Sequence, residues 1–315
     1  MWWNQTNRNE RLQPILSQSA FSQADLLTQL LAIADEASDL ARAFYRKSHE
    51  LEVVRKGDST PLTDADTGLH HLIYERLEAL FPKLPILSEE SEVAQLEDRL
   101  KWPACWVVDP LDGTKEFLEK TDQFTINIAL VIDGKAELGL ISIPCRCEHW
   151  LGVVENGAAV FPEHEGLEGQ VIQTSSRDSS RPLVMLASHR HSAKRVELLL
   201  NSLADRFGHT ERVNSGSAVK FCDLLSDVAD VYPRTALCSE WDVAAGDALV
   251  RAAGGRVTDM SGRQIQYNRR PSLLAEPFVA SADADIDYAA AIYQSLYPAL
   301  FCKPAHCSTT FVMFG

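Results

Sequence analysis

The chain lacks the signals that would place it in a membrane, in a secreted disulfide scaffold or on a nucleic acid. No stretch approaches the roughly 18 consecutive apolar residues of a membrane-spanning helix. The opening residues, MWWNQTNRNERLQP, turn polar after two tryptophans and read as lacking the apolar core of a secretory leader. That leaves peripheral contact with the cytoplasmic face of an inner membrane open. The seven cysteines are odd in number and scattered, and none form a C-x-x-C pair, so neither a disulfide framework nor structural zinc is expected. Cys145 and Cys147 read as thiols on one face of a strand. This cysteine usage fits a reducing, cytoplasmic setting. Positive charge is also scarce: 30 Lys and Arg against 44 Asp and Glu leave a net charge of −14, which excludes general affinity for nucleic acid polymers. An anionic ligand must be met by local cations or bound metal. Nothing in the sequence bears on oligomeric state.

What is present is an ordinary globular composition, 45% hydrophobic, over 315 residues, enough for two layered halves sharing a cleft. Residues 1–20 are Gln/Asn-rich and predict a disordered extension. Apolar residues from Leu26 to Phe44 follow a helical period, and a second helix is predicted over 64–80 with Thr63 as its cap. The segments FTINIALVI, AELGLISI, EHWLGVV and AAVF, separated by Asp133-Gly134, Pro144 and Asn156-Gly157, predict an antiparallel meander. The loop PEHEGLEG suggests a boundary, giving an N-terminal α+β half over 21–165 and a C-terminal α/β half over 166–298. Residues 299–315 form a tail whose ending FVMFG fits docking on the body, a partner contact or disorder equally. The fold class is α/β, layered α/β/α/β/α, with an antiparallel or mixed sheet in each half.

The stretch CWVVDPLDGTKEFLE raises the functional question, because Asp109 and Asp112 break what reads as a buried strand. Asp-Pro and Asp-Gly are common turn dipeptides, and a turn or cap role is one reading. The other is that both carboxylates, with the Leu111 carbonyl between them, face one point at a strand's carboxyl end, as oxygen ligands for a hard divalent cation. Further acids follow the same grammar: Glu89 and Glu90 after PILS, and Asp242 heading a small-residue helix in EWDVAAGDAL. Asp242 and Asp66 have plain capping alternatives, and the glutamates could be solvated.

The segments GDSTPLTDAD, PILSEES, WVVDPLDGTKEF and EWDVAAGDALVRAAGG occur in the order and approximate spacing of the inositol monophosphatase-like superfamily of magnesium-dependent, lithium-sensitive phosphatases. The resemblance spans roughly residues 26–297. Within it, DGTKEF, GSAVKFC and ADVYPR most resemble the 3'(2'),5'-bisphosphate nucleotidase branch, which serves sulfate assimilation. The resemblance implies the sugar-phosphatase type of layered fold. It also implies two or three Mg²⁺ held by Glu89, Asp109, Asp112, Asp242 and the Leu111 carbonyl, with phosphate oxygens received by the Gly113 and Thr114 N–H groups. Water activation falls to Asp66 with Thr114, or to Glu89 through its metal, and Glu90 orients ligands. Lys115, His191, Ser217, Lys220 and Arg234 match positions contacting the nucleotide or its second phosphate. His191 could equally be a surface histidine, and Lys220 could lie exposed on its helix.

Three rivals remain at this level. An inositol monophosphatase shares the metal chemistry with a different substrate. A haloacid dehalogenase-type phosphatase needs D-x-D-x-T, and Pro110 stands where its first aspartate belongs. A non-catalytic metal- or nucleotide-binding protein could use the same scaffold, but would not need Asp66 and Thr114 beside the metal carboxylates.

Overall fold

Alternate residues of the same strands feed two different cores, and that alternation builds the layers. The computed structural model describes residues 9–19, 21–47, 53–55, 61–92, 96–189 and 193–296. Helices α1 (Gln13–Ser19) and α2 (Gln23–Arg46) precede an antiparallel ribbon of β1 (Val53–Arg55) and β2 (Pro61–Thr63), then helix α3 (Asp64–Leu80). A seven-stranded sheet follows in chain order: β3 (Ile86–Ser88), β4 (Ala104–Asp112), β5 (Thr125–Ile132), β6 (Lys135–Ile143), β7 (Glu148–Val153), β8 (Gly157–Pro162) and β9 (Gln170–Ile172). Only the β3–β4 pair is parallel. The short helix α4 (Thr114–Leu118) leaves the end of β4. The second half runs β10 (Leu183–Ala187), α5 (Ala193–Phe207), β11 (Thr210–Asn214), α6 (Val219–Leu225), β12 (Val231–Arg234), α7 (Ala244–Ala252), β13 (Arg256–Asp259), β14 (Phe278–Ser281) and α8 (Tyr288–Leu296). Its five strands are ordered β11-β10-β12-β14-β13 in a mixed sheet.

On β4 and β5, Trp106, Val108, Ile126, Ile128 and Leu130 join a core with Leu30 of α2 and Ile73 of α3. Their neighbours Val107, Ala129 and Val131 face the other way, onto Phe221 of α6, Leu249 of α7, and Tyr232 and Phe278 of the smaller sheet. The outer face of that sheet, Met185, Val231 and Val279, packs beneath Leu199 of α5 and Ile292 of α8. The order of layers is therefore α/β/α/β/α. Strands covered on both faces read as nearly continuous apolar runs, which is why β5 is apolar from Ile128 to Ile132 and carries polar residues only at Thr125 and Asn127, beside Asp112. The close approach of α7 depends on Gly139 of β6, where a Cβ would stand 2.1 Å from the Ala245 carbonyl oxygen. Any side chain there would push α7, and Asp242 just before it, off the sheet.

Three expectations are corrected. Residues 9–19 are not a disordered extension: Leu12, Ile15 and Leu16 are buried in the first core, and the buried Asn9 side chain donates to Glu137 Oε2 (2.8 Å) and the Val154 carbonyl (3.2 Å). The i, i+3, i+4 spacing of those apolar residues covers a single turn, too short to show as periodicity among the surrounding polar residues. The boundary between halves falls after β9 rather than at 165, because Gln170–Ile172 still pairs with β8 in the first sheet. Cys145 and Cys147 are not strand residues; Pro144 ends β6 in a 3₁₀ turn over 144–146, and Cys147 follows in a left-handed conformation. Residues 1–8 and the 299–315 tail lie outside the described residues, and among those described no helix is long and apolar enough to cross a membrane.

Candidate active site

In a regular strand, residues three apart point to opposite faces. Asp109 and Asp112 escape this through a bulge: β4 pairs with β5 up to Asp109 opposite Asn127 and resumes at Asp112 opposite Thr125, one residue longer on its own side. Pro110 lies within the break, where its missing N–H costs the ladder nothing. The Leu111 N–H donates to Asp109 Oδ1 at 3.0 Å and locks the turned carboxylate. Asp112 Oδ2 accepts from Thr125 Oγ1 and Asn127 Nδ2, both at 3.4 Å.

Asp242 arrives from the other half, at the end of a 3₁₀ turn over 240–242 that leads into α7, where its Oδ2 accepts the Ser239 N–H at 3.1 Å. A buried clamp holds this turn to the first half. Arg99 Nη1 donates to Asn268 Oδ1 (2.9 Å), Asn268 Nδ2 donates to the Arg99 carbonyl (2.7 Å), and the Asn268 N–H donates to Glu240 Oε2 (2.6 Å). As a result, one carboxylate oxygen from each of Asp109, Asp112 and Asp242 lies within 4.8 Å of the others. Burial raises the pKa of all three; repulsion from Glu89, Asp112 and Asp242 adds to it at Asp109, and repulsion from Asp112 and Glu89 helps push Asp242 up to about 8, whereas at Asp112 the nearby Lys220 and Arg234 offset part of the rise. Three carboxylates in one small volume form a hard oxygen donor set.

Asp66 makes its cap and reaches Thr114 as well. In the first turn of α3, its Oδ2 closes a capping box with the Thr63 N–H (2.8 Å) and hydroxyl (2.6 Å), and its Oδ1 accepts the Thr114 hydroxyl at 3.1 Å. The same hydroxyl is 3.4 Å from the Leu111 carbonyl, which ties that carbonyl to the site. Burial lifts the Asp66 pKa despite these bonds, with the Glu89 charge adding to it. Glu89 lies at the end of β3, near enough to act on Asp66, Asp109 and Asp242, but outside the tight cluster of three. Gly113 has φ +89, and a Cβ there would meet Ser217 Cβ at 3.1 Å, so the turn between Asp112 and α4 requires glycine.

A cavity of about 230 Å³ adjoins the cluster, lined among others by Asp112, Gly113, Ser217, Lys220, Arg234 and Asp242. Lys220 is not exposed on its helix. It is buried, donates to the Ser215 carbonyl (3.3 Å) and the Ser217 carbonyl, and burial pushes its pKa down to about 8. The Nε of Arg234 is buried with no hydrogen-bond partner among the described residues, while its side chain pairs with Tyr232. Lys115 is exposed and not among the lining residues, whereas its neighbour Glu116 is. His191 lies outside the described residues. Sequence reasoning missed Ser188, Tyr232 and Cys238 in the cavity wall, and Asn127 beneath Asp112; none carries a local signal, since the fold alone brings them there. A larger cavity, about 680 Å³, lies beside α5 and Tyr293 of α8 and contains none of the clustered carboxylates.

Residues 22–297 match the Inositol monophosphatase family. The chain is similar to the 3'(2'),5'-bisphosphate nucleotidase CysQ of Salmonella typhimurium, 36% identical over 253 residues, covering 80% of this chain and 98% of that protein. It is also similar to the crystal structure of CysQ from Bacteroides thetaiotaomicron, with 30% identity, a TM-score of 0.65 and 82% and 97% of the two chains covered. The IMPase of Thermotoga maritima superposes with a TM-score of 0.66 at 20% identity, covering 85% and 96% of the two chains, a likeness of fold alone.

The raised carboxylate pKa values predict how stability depends on pH without metal. In the unfolded chain these aspartates ionise near their ordinary value of 3.8, whereas folded Asp242 keeps its proton up to about pH 8. The folded state therefore binds more protons across that window, and metal-free protein loses stability as pH rises through it. A divalent cation replaces those protons. The rise in Tm on adding excess Mg²⁺ to chelator-treated protein is therefore expected to be larger at the upper end of the window than at the lower; an equal rise at both ends would contradict the clustering.

Proposed function

The chain belongs to the inositol monophosphatase family, and from that membership we propose that it is a Mg²⁺-dependent phosphatase removing the 3'-phosphate of adenosine 3',5'-bisphosphate to give AMP and phosphate. The observation that carries this reading is the convergence of Asp109, Asp112 and Asp242 from both halves within 4.8 Å, next to the Asp66–Thr114 hydrogen bond. An all-oxygen set of mutually repelling carboxylates fits a hard dication. Asp109, Asp112, Asp242, Glu89 and the Leu111 carbonyl would hold two or three Mg²⁺. When bound, the ions supply the positive charge that lets water approach an anionic ester and that offsets charge on the departing oxygen.

The remaining work falls to the chain. Thr114 donates its hydroxyl proton to Asp66, so its oxygen is free to accept from an incoming water and orient it toward phosphorus. Asp66 receives the proton through that hydroxyl, and its raised pKa makes it a stronger base than a free aspartate. The Gly113 and Thr114 N–H groups would hold phosphate oxygens. The 5'-phosphate brings roughly two further negative charges that need partners in the cleft. Arg234, whose Nε has no partner among the described residues, is the leading candidate, helped by Ser217, with His191 and Lys115 added by the branch resemblance. Lys220 contributes charge, but its bonds to Ser215 and Ser217 also give it the task of shaping the loop. The role in sulfate assimilation and a cytoplasmic setting follow from the branch resemblance, and the free cysteines of the described residues accord with the latter.

Two measurements test this reading. In one Mg²⁺ buffer, kcat/KM should be highest for adenosine 3',5'-bisphosphate among that compound, 3'-AMP, inositol 1-phosphate and fructose 1,6-bisphosphate. Arg234→Ala should lower the bisphosphate value by about tenfold or more while affecting 3'-AMP less, since a hydrogen bond to a charged group is worth about 1.5–3 kcal/mol. A preference for inositol 1-phosphate would refute the substrate and leave the metal chemistry standing. Thr114→Val should fold normally and cut kcat by about 10²–10⁴-fold, the range for lost acid–base assistance; an unchanged kcat would remove Thr114 from the mechanism.

A further inference from the structure

Asp66 and Glu89 lie on separate elements, the first turn of α3 and the end of β3, and one side chain joins them. His70 sits one helical turn after Asp66, which brings both side chains to the same region of the helix surface. Its Nδ1 lies 2.9 Å from the hydroxyl of Ser88, which is buried and directly precedes Glu89. Ser88 is the hub of the turn that presents Glu89. Its hydroxyl accepts the Glu90 N–H (3.4 Å), its N–H donates to Ser91 Oγ (3.0 Å), and its carbonyl accepts the Ser91 N–H (3.0 Å). The Glu89 N–H is itself used, donating to the Val108 carbonyl at 3.1 Å. The turn therefore has two anchors: β4, one residue before Asp109, and His70 on the helix that carries Asp66.

The hydrogen bonding also orients the imidazole. Ser88 Oγ accepts from the Glu90 N–H and keeps both its own proton and a second lone pair, so it pairs with His70 Nδ1 in either neutral tautomer of the ring. The ring is half-buried, with its centroid 5.4 Å from that of His71 and 5.7 Å from that of Tyr74. One helix thus sets Asp66 against Thr114 and, one turn later, fixes the turn bearing Glu89.

We propose that His70 is a positioning residue for the metal-dependent reaction: through Ser88 it holds the 88–91 turn so that Glu89 faces Asp109 and Asp242 while Asp66 faces Thr114. The proposal rests on the metal-site reading above. His70 belongs neither to the carboxylate cluster nor to the residues lining the adjoining cavity, so its effect should appear in divalent-cation affinity through Ser88.

The test is Mn²⁺ binding, followed by electron paramagnetic resonance on the full chain without substrate, for wild type, His70→Ala, Ser88→Ala, the double variant and His70→Asn. Each alanine variant should bind Mn²⁺ about 10–100-fold more weakly, the usual cost of removing a group behind a metal ligand. The double variant should be no worse than the weaker single, because both substitutions remove the same link. His70→Asn, whose side-chain amide can either accept from or donate to Ser88 Oγ where Nδ1 stood, should recover most of the affinity, and it carries the test if His70→Ala does not fold. Wild-type affinity in His70→Ala, multiplicative loss in the double variant, or no rescue by asparagine would each overturn the proposal. Failure of wild type to bind Mn²⁺ would overturn the metal reading, and this inference with it.

Discussion

Repulsion among three carboxylates is the constraint around which the rest of the structure is arranged. At the 4.8 Å limit of the cluster, two ionised groups repel by about 3–4 kcal/mol at an effective dielectric near 20, and three such pairs meet here. Neutral packing and hydrogen bonds hold the groups there. The β4 bulge turns Asp112 to the side of Asp109, the Leu111 N–H and Asn127 restrain the two carboxylates, and the Arg99–Asn268–Glu240 clamp fixes the turn of Asp242. A fold that brings three carboxylates together by packing and hydrogen bonds has placed them ready for cations.

The same arrangement explains why the site lies between the two sheets. Asp109 and Asp112 belong to the larger sheet, and Asp242 belongs to the turn before α7, the helix sandwiched between the sheets. Bringing α7 close enough requires the missing side chain of Gly139 and the small Ala244 and Ala245 of its first turn. Stability of the layers and geometry of the site therefore depend on the same contacts. The cations needed by an acidic chain are local: Lys220 and Arg234 come from the second half and line the cavity beside Asp112.

Much of this was legible in the sequence, for identifiable reasons. The helix over 64–80 and its Thr63 cap followed from periodicity and capping chemistry, which are local. The acidic motifs were visible because carboxylates at strand ends are chemically conspicuous. The bulge was not: Pro110 signals a break, but the register shift that puts Asp109 and Asp112 on one side depends on the pairing of β5. Asp66 presented cap and function as alternatives, yet one of its oxygens makes the cap while the other meets the Thr114 hydroxyl. Lys220 looked equally able to face solvent, because burial of a lysine is decided by the carbonyls of Ser215 and Ser217 that tertiary structure brings to it. The link from His70 to Ser88 spans 18 residues and has no sequence signature at all.

Anomalous difference density from crystals soaked in Mn²⁺ would locate the ions directly. Strong peaks are expected within coordination distance of Asp109, Asp112 and Asp242 together, one of them also reached by Glu89. Peaks only elsewhere on the chain, with the three carboxylates unliganded and still clustered, would contradict their role as ligands.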